Sequence, residues 1–274
     1  MLRWVGRIAA SSLTLSAVLA VAFVFQAHIA AAQSSGQDSG LGVSHPDPSD
    51  DPGAPSAQAQ QEQQERRNEP GRFDFYVLAL SWSPSYCEAS RERSNRTPDP
   101  QQCGPRPYSF VVHGLWPQYD RGFPSYCQVP SPRLSRNIVN EMLDVMPSPR
   151  LVYHEWDRHG TCSGLSQDAF FDNVRKARAA VRIPDRFVAI AAPLVVTPHD
   201  VADAFIAANP GLSRSGLAIA CDSKRLSEIR ICLNKDLRFR DCGDVARRSC
   251  RRDSIVMPPV RGARPALLEL IAPH

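Results

Sequence analysis

Among 274 residues no C-x-x-C pair occurs, although the chain holds eight cysteines. Zinc sites often use that spacing, so a cysteine-ligated metal centre has little support. No H-E-x-x-H run is present either, which sets zincin-type hydrolases aside. From Gln33 to Arg72 large apolar residues are almost missing, and Gln, Ser, Asp, Gly and Pro dominate. Such a stretch cannot offset the entropy of ordering, so residues 33–72 are expected to form a disordered polar linker. Internal repeats are also missing, which excludes a repeat array.

What is present starts with Arg3 and Arg7, an apolar run from about Ile8 to Phe25, and Ala30-Ala31-Ala32. Basic residues, an apolar stretch and a small-residue cleavage site make residues 1–32 a secretory signal peptide. An uncleaved membrane anchor is the alternative, since the run approaches spanning length. The well-placed A-x-A site and the lack of an immediate charged stop favour cleavage, hence a secreted or periplasmic protein without stable membrane association. All eight cysteines follow the signal, and an even count in an exported chain reads as disulfides. Residues 73–274 are enough for one domain with a full core. They carry 27 bases against 21 acids, an excess compatible with a polyanionic partner but by itself an ordinary solubilised surface.

Phe73 to Leu80 is β-prone and largely apolar, as a buried central strand should be. Tyr108 to His113 reads as a second strand, ended by Gly114 and Pro117. Leu134, Ile138, Met142 and Val145 have helical spacing within Ser131 to Val145. Ser166 can cap a helix reaching Val181, and Thr197 opens another that stops at Asn209 before Pro210-Gly211. Leu217 to Cys221 and Leu226 to Leu233 read as strands joined by a polar turn at Asp222 to Arg225. Pro258, Pro259 and Pro265 argue against a long helix in the tail. Strands and helices do not alternate regularly, and the strand pairs look like hairpins. The expected fold is therefore α+β, a mainly antiparallel central sheet flanked by helices.

The densest chemistry lies in "YHEWDRHGTC" at 153–162. On a helix His154 stands at 0°, Arg158 at about 40°, Glu155 at about 100° and His159 at about 140°. These four share one arc, with Trp156 and Asp157 outside it. H-E-x-x-x-H splays the imidazoles and puts a cation between them, which is electrostatically wrong for a divalent metal. A salt-bridged surface helix is the bland alternative. His113 lies at a strand end in "FVVHGLWP", where a lone histidine is usually a satisfied core residue. Gly114 permits close backbone approach, however, and Trp116-Pro117 offers a stiff aromatic platform. Cys127 and Cys162 could staple the two segments and bring His113 towards His159. Two facing imidazoles can act as base and acid near neutral pH, and a nearby cation can stabilise a phosphorane. RNA carries its own nucleophile in the 2′-hydroxyl, which DNA lacks. No metal or other cofactor is then required.

"HGLWP" at 113–117 and "HEWDRHGTC" at 154–162 resemble the two signature segments of the ribonuclease T2 family. "LALSWSPSYC" at 78–87 and "CDSKRLSEIRICLNKDLRFRDC" at 221–242 agree with the flanks. The resemblance implies a disulfide-stapled α+β domain that cuts RNA through a 2′,3′-cyclic phosphate to 3′-phosphate ends. It implies that His159 takes the 2′-proton and His113 protonates the leaving oxygen. His154 and Glu155 would bind the phosphate and stabilise its transition state. Arg158 departs from the family's usual lysine; the charge is kept while the fork geometry differs. The implied bridges are Cys87–Cys103, Cys127–Cys162, Cys221–Cys250 and Cys232–Cys242, although the last four cysteines allow three pairings. A relative that only binds RNA would be expected to lose His113 or His159, and both are here. Trp116 is a candidate stacking face, and Gln118 and Tyr119 are candidates for a base edge or for plain packing. "RRSCRR" at 247–252 supports no site. The expected partner is RNA, not DNA, and the expected state is a monomer.

Overall fold

β1 (Phe75–Trp82) is buried along nearly its whole length, because it has neighbours on both edges and packing on both faces. The computed structural model describes residues 68–93 and 97–264. The signal peptide expected at 1–32, the linker as far as residue 67 and residues 265–274 lie outside the described residues. Asn68 to Arg72, assigned to the linker by composition, pack on the domain: the Gly71 amide donates to the Cys162 carbonyl, 2.9 Å away, and Ser125 N–H donates to Asn68 Oδ1.

β1 is followed by α1 (Ser83–Glu92), α2 (Pro100–Cys103) and β2 (Phe110–Gln118). Three helices come next: α3 (Arg136–Met142), α4 (Pro149–Arg158) and α5 (Gln167–Ala179). A short strand β3 (Leu194–Val196) leads to α6 (Pro198–Ala208), β4 (Leu217–Cys221) and β5 (Leu226–Leu233). α7 (Gly243–Ala246) and β6 (Ile255–Met257) complete the described chain. The main sheet has the order β2-β1-β5-β4 and every pairing is antiparallel. β3 and β6 form a separate antiparallel pair, which accounts for a tail that carried no clear pattern.

The strand pleat decides which residues go where. Leu78, Leu80 and Trp82 of β1 join Val112, Ile229 and Ile231 in one apolar cluster with Met142, Val152, Trp156, Phe170, Val174 and Phe205 from the helices. Each such side chain, fully buried, stabilises by about 1.5–3 kcal/mol. Phe75 and Val77 point the other way and pack with Cys232 and Cys242. Sequence-expected caps hold at α5, where Ser166 Oγ accepts from Ala169 N–H, and at α6, where Thr197 and Asp200 form a reciprocal capping box.

Two expectations need correction, and one helix was not expected. β2 does not stop at His113 but continues to Gln118; Gly114 and Pro117 are tolerated because β2 is an edge strand. α3 is shorter than Ser131 to Val145 and is capped by Ser135, whose Oγ accepts from Asn137 N–H. Ser131 instead donates to Asp157. α1 carries no apolar periodicity, since its inward residues are Ser83, Ser85, Cys87 and Ser90, so nothing in the pattern announces it. The four disulfides join Cys87 to Cys103, Cys127 to Cys162, Cys221 to Cys250 and Cys232 to Cys242, the pairing that the resemblance implies.

Candidate active site

His113 owes its orientation to an irregularity in β2. Ala79 pairs with Gly114 and Leu80 with Val112, so His113 is the extra residue of a β-bulge. In a regular strand residues 113 and 116 would lie on opposite faces. The bulge brings both to the cleft side, where the rings of His113 and Trp116 meet edge-on with centroids 5.2 Å apart. Gly114 is required beside them: a Cβ there would collide with the Glu155 carboxylate and the Trp116 indole nitrogen.

α4 supplies the opposite wall. Ser148 caps its start, and Trp156 anchors its inner side against Phe170 and Phe171. Glu155 is buried and His154 exposed. His159 is not inside the helix, as the arc reading assumed, but is its C-terminal cap, with its N–H still on the Glu155 carbonyl. The Cys127–Cys162 bridge and the bond from Tyr126 N–H to the Arg158 carbonyl tie the loop after β2 to this helix end. His154, Glu155, Arg158 and His159 then line one cavity of about 280 Å³ with His113, Trp116 and Gln118. Trp116 sits at its centre, 5.4 Å from the His159 ring. Trp116 Nε1–H donates to Glu155 Oε2 at 2.7 Å.

The titrating groups differ sharply. Burial works against charge on His113, but the hydrogen bond and charge of Glu228, with the charge of Glu155, outweigh it and raise its pKa above the ordinary 6.5. His159 goes the other way, to about 3, through burial and then the repulsion of Arg158, His154 and His113. Burial also lowers His154, assisted by Arg158 and His113. Glu155 is pushed up to about 7 by burial, against the charge of His113 and the Trp116 hydrogen bond. His159 Nδ1 and Arg158 Nε are buried without a hydrogen-bond partner among the described residues. Such orphans are uncommon in folded proteins, and these two belong to residues that line the cleft.

His113, Trp116, His154, Glu155, Arg158 and His159 all reach this cleft. Tyr119 does not; it packs against the core. Gln118 lines the cleft, although its amide donates to the Pro117 carbonyl. Sequence reasoning missed Arg230, Phe123, Val245 and Arg248, which line the cleft, and Glu228 behind His113 on β5. The one trace of Glu228 and Arg230 is "EIRI", where charges alternating with isoleucines put both on one face of a strand, a pattern that an ordinary solvated face shares. Arg248 comes from the basic run that supported no site, and it is paired with Asp244 at 2.8 Å. Among the described residues no group of three His, Cys, Asp or Glu side chains is arranged to hold a metal ion.

The family model described as "Ribonuclease T2 family" matches residues 73–242. A ribonuclease of Aeromonas hydrophila is 37% identical over 176 residues, which covers 63% of this chain and 77% of the relative. The crystal structure of RNase NT in complex with 5′-AMP superposes with a TM-score of 0.50 at 26% identity, over 68% of this chain and 98% of that one. An RNase-related protein from Calystegia sepium shares the fold, with a TM-score of 0.53 at 18% identity over 69% and 98% of the two chains.

Proposed function

The chain belongs to the ribonuclease T2 family and is an endoribonuclease, and from that premise we propose an exported enzyme that cuts single-stranded RNA without a metal ion. In the first step His159 accepts the 2′-hydroxyl proton, O2′ attacks phosphorus and the P–O5′ bond breaks. His113 gives its proton to the departing O5′. A 2′,3′-cyclic phosphate and a 5′-hydroxyl result. Water then opens the ring to a 3′-phosphate, with the two histidines exchanging roles.

The supporting observation is the contrast between two imidazoles on one indole. His113 is favoured in its charged form and His159 in its neutral form, the states an acid and a base need before the reaction starts. His159 also keeps a ring nitrogen uncommitted. Exposed His154 and the Arg158 guanidinium fit the negative phosphate at the rim, and its charge would ease protonation of His159 as the step proceeds. Glu155, near neutrality, can hydrogen-bond a phosphoryl oxygen as its charge grows. Trp116, between the two histidine rings, has an aromatic face suited to stacking on substrate. Export is supported by the N-terminal segment and by four bridges that an oxidising compartment preserves.

The test is incubation of the purified mature protein with RNA and DNA of equal sequence in EDTA, with products identified by mass. Cyclic and then 3′-phosphate ends from RNA alone are expected. Cleavage of DNA at a comparable rate, or loss of RNA cleavage in EDTA, would overturn the reading.

A further inference from the structure

Glu228 lies on the second residue row of the cleft face, opposite Ser81 of β1, and is nearly buried. Its two oxygens have separate partners. Oε2 is 2.9 Å from His113 Nδ1. Oε1 accepts from Arg230, Nε at 2.7 Å and Nη2 at 2.6 Å. Arg230 in turn lies over the Trp116 ring, its Cζ 5.4 Å from the centroid. The relay Trp116–Arg230–Glu228–His113 therefore closes on the same indole that both histidines touch.

We propose that Glu228, locked in its ionised form by Arg230, is a positioning residue for His113: it holds the proton on Nδ1 and leaves the Nε2 proton as the one delivered to the leaving oxygen. An ionised carboxylate only accepts, so the 2.9 Å contact requires Nδ1–H. His113 Nε2 then points towards α4, 3.7 Å from Glu155 Oε1, into the cleft where the scissile phosphate is expected. Other groups facing His113 are Arg230 from β5 and His154, Glu155, Arg158 and His159 from α4 and its cap. The cations among these disfavour imidazolium, and Glu228 is the carboxylate in hydrogen-bond contact with it. Arg230 matters twice, since it keeps Glu228 charged and blocks the carboxylate from rotating away.

The inference rests on His113 being the acid, and the test separates the two claims. Glu228→Gln keeps shape and loses charge. Arg230 would hold the amide oxygen, turning NH₂ towards His113 Nδ1, which favours the wrong tautomer. Three measurements apply to the folded variants: cleavage of RNA, cleavage of a nitrophenyl ester of a ribonucleotide 3′-phosphate, and the alkaline limb of kcat/KM against pH. The ester needs no acid for its leaving group. For Glu228→Gln, RNA cleavage should fall by about 10²-fold, within the range of general-acid effects. Ester cleavage should fall far less, and the alkaline limb should move to lower pH. Glu228→Asp, which keeps the charge, should recover part of the loss on RNA and restore the limb. Equal losses on both substrates with an unmoved limb would overturn the positioning role. If His113→Ala itself loses ester and RNA cleavage equally, the acid reading fails and this proposal fails with it. Rescue of His113→Ala on the ester, with Glu228→Gln unaffected on RNA, would overturn only the role of Glu228.

Discussion

The two faces of the four-stranded sheet are made by alternate residues of the same strands, yet they are built on different rules. On the helix-covered face Leu78, Leu80, Val112, Ile229 and Ile231 belong to one apolar cluster with the helices. On the cleft face Glu228 and Arg230 of β5 alternate with those isoleucines, and His113 and Trp116 come from edge strand β2 on the far side of β1. The polar groups there pair mainly with one another, as in His113–Glu228–Arg230 and Trp116–Glu155. Large displacements of titration at His159 and Glu155 fall on the cleft side as well. Strand pleating thus separates the residues that hold the domain together from those that hold protons in place. Damage to one face should appear in melting, and damage to the other in rate.

The strongest way to sharpen that contrast is removal of the histidines. His113→Ala and His159→Ala should each lose at least about 10²–10⁴ in cleavage rate, and the double variant little more, since the pair acts as one unit. Single-turnover cleavage measures this, and thermal melts should show near-native midpoints. A large drop in midpoint for half-exposed His113 would break the division between the faces.

On the other face, Ile231→Ala should cost about 2–5 kcal/mol in urea unfolding through the cavity it leaves. Rates normalised to folded protein should be unchanged. Gly114→Ala tests a cleft residue whose change should register in both measurements. Its Cβ would collide with Glu155 and Trp116, so about 1–3 kcal/mol of strain is expected together with reduced cleavage. Wild-type rates at lowered stability would mean the cleft walls yield more easily than the β2 bulge suggests.

The pH profile follows from the opposed histidines. His159 stays a neutral base down to about 3. His113 keeps its proton to higher pH than an ordinary imidazole, because the hydrogen bond and charge of Glu228 raise its folded pKa against the cost of burial. kcat/KM should therefore be sustained on the acid side and fall as pH rises through the His113 value, by about tenfold per unit beyond it. A profile still climbing at pH 9 would reverse the assignment of acid and base. The smallest effect is expected at Arg158. Arg158→Lys keeps the charge and should retain most activity, whereas Arg158→Ala should lose more. Equal losses in both would make the guanidinium fork, rather than its charge, the requirement.

Much of this was legible in the chain. β4 and β5 have the expected limits because they are short apolar runs bounded by a polar turn. α5 and α6 begin where Ser166 and Thr197 can satisfy orphan amides. The cleft residues at 113, 116, 154, 155, 158 and 159 were readable because rare side chains crowd two short segments. Glu228 and Arg230 were not, since an acid and a base in a strand look like an ordinary solvated face. Their meaning depends on β5 pairing with β1, which carries them across the sheet towards β2.

By itself the sequence determined the chemistry available: eight cysteines, and imidazoles, a cation and an indole crowded into two short segments at spacings unlike those of a zincin. Local physics also set the caps of α5 and α6, the turn at Asp222 to Arg225 and the apolar stripes of α5 and α6, because these depend on residues a few positions apart. Only the tertiary structure decided protonation. His113 and His159 have the same intrinsic affinity for protons. They diverge because a bulge presents one to Glu228 while a helix end buries the other beside Arg158. Charge and burial act through space over a few ångströms, and those neighbours come from strands and helices far apart in the chain.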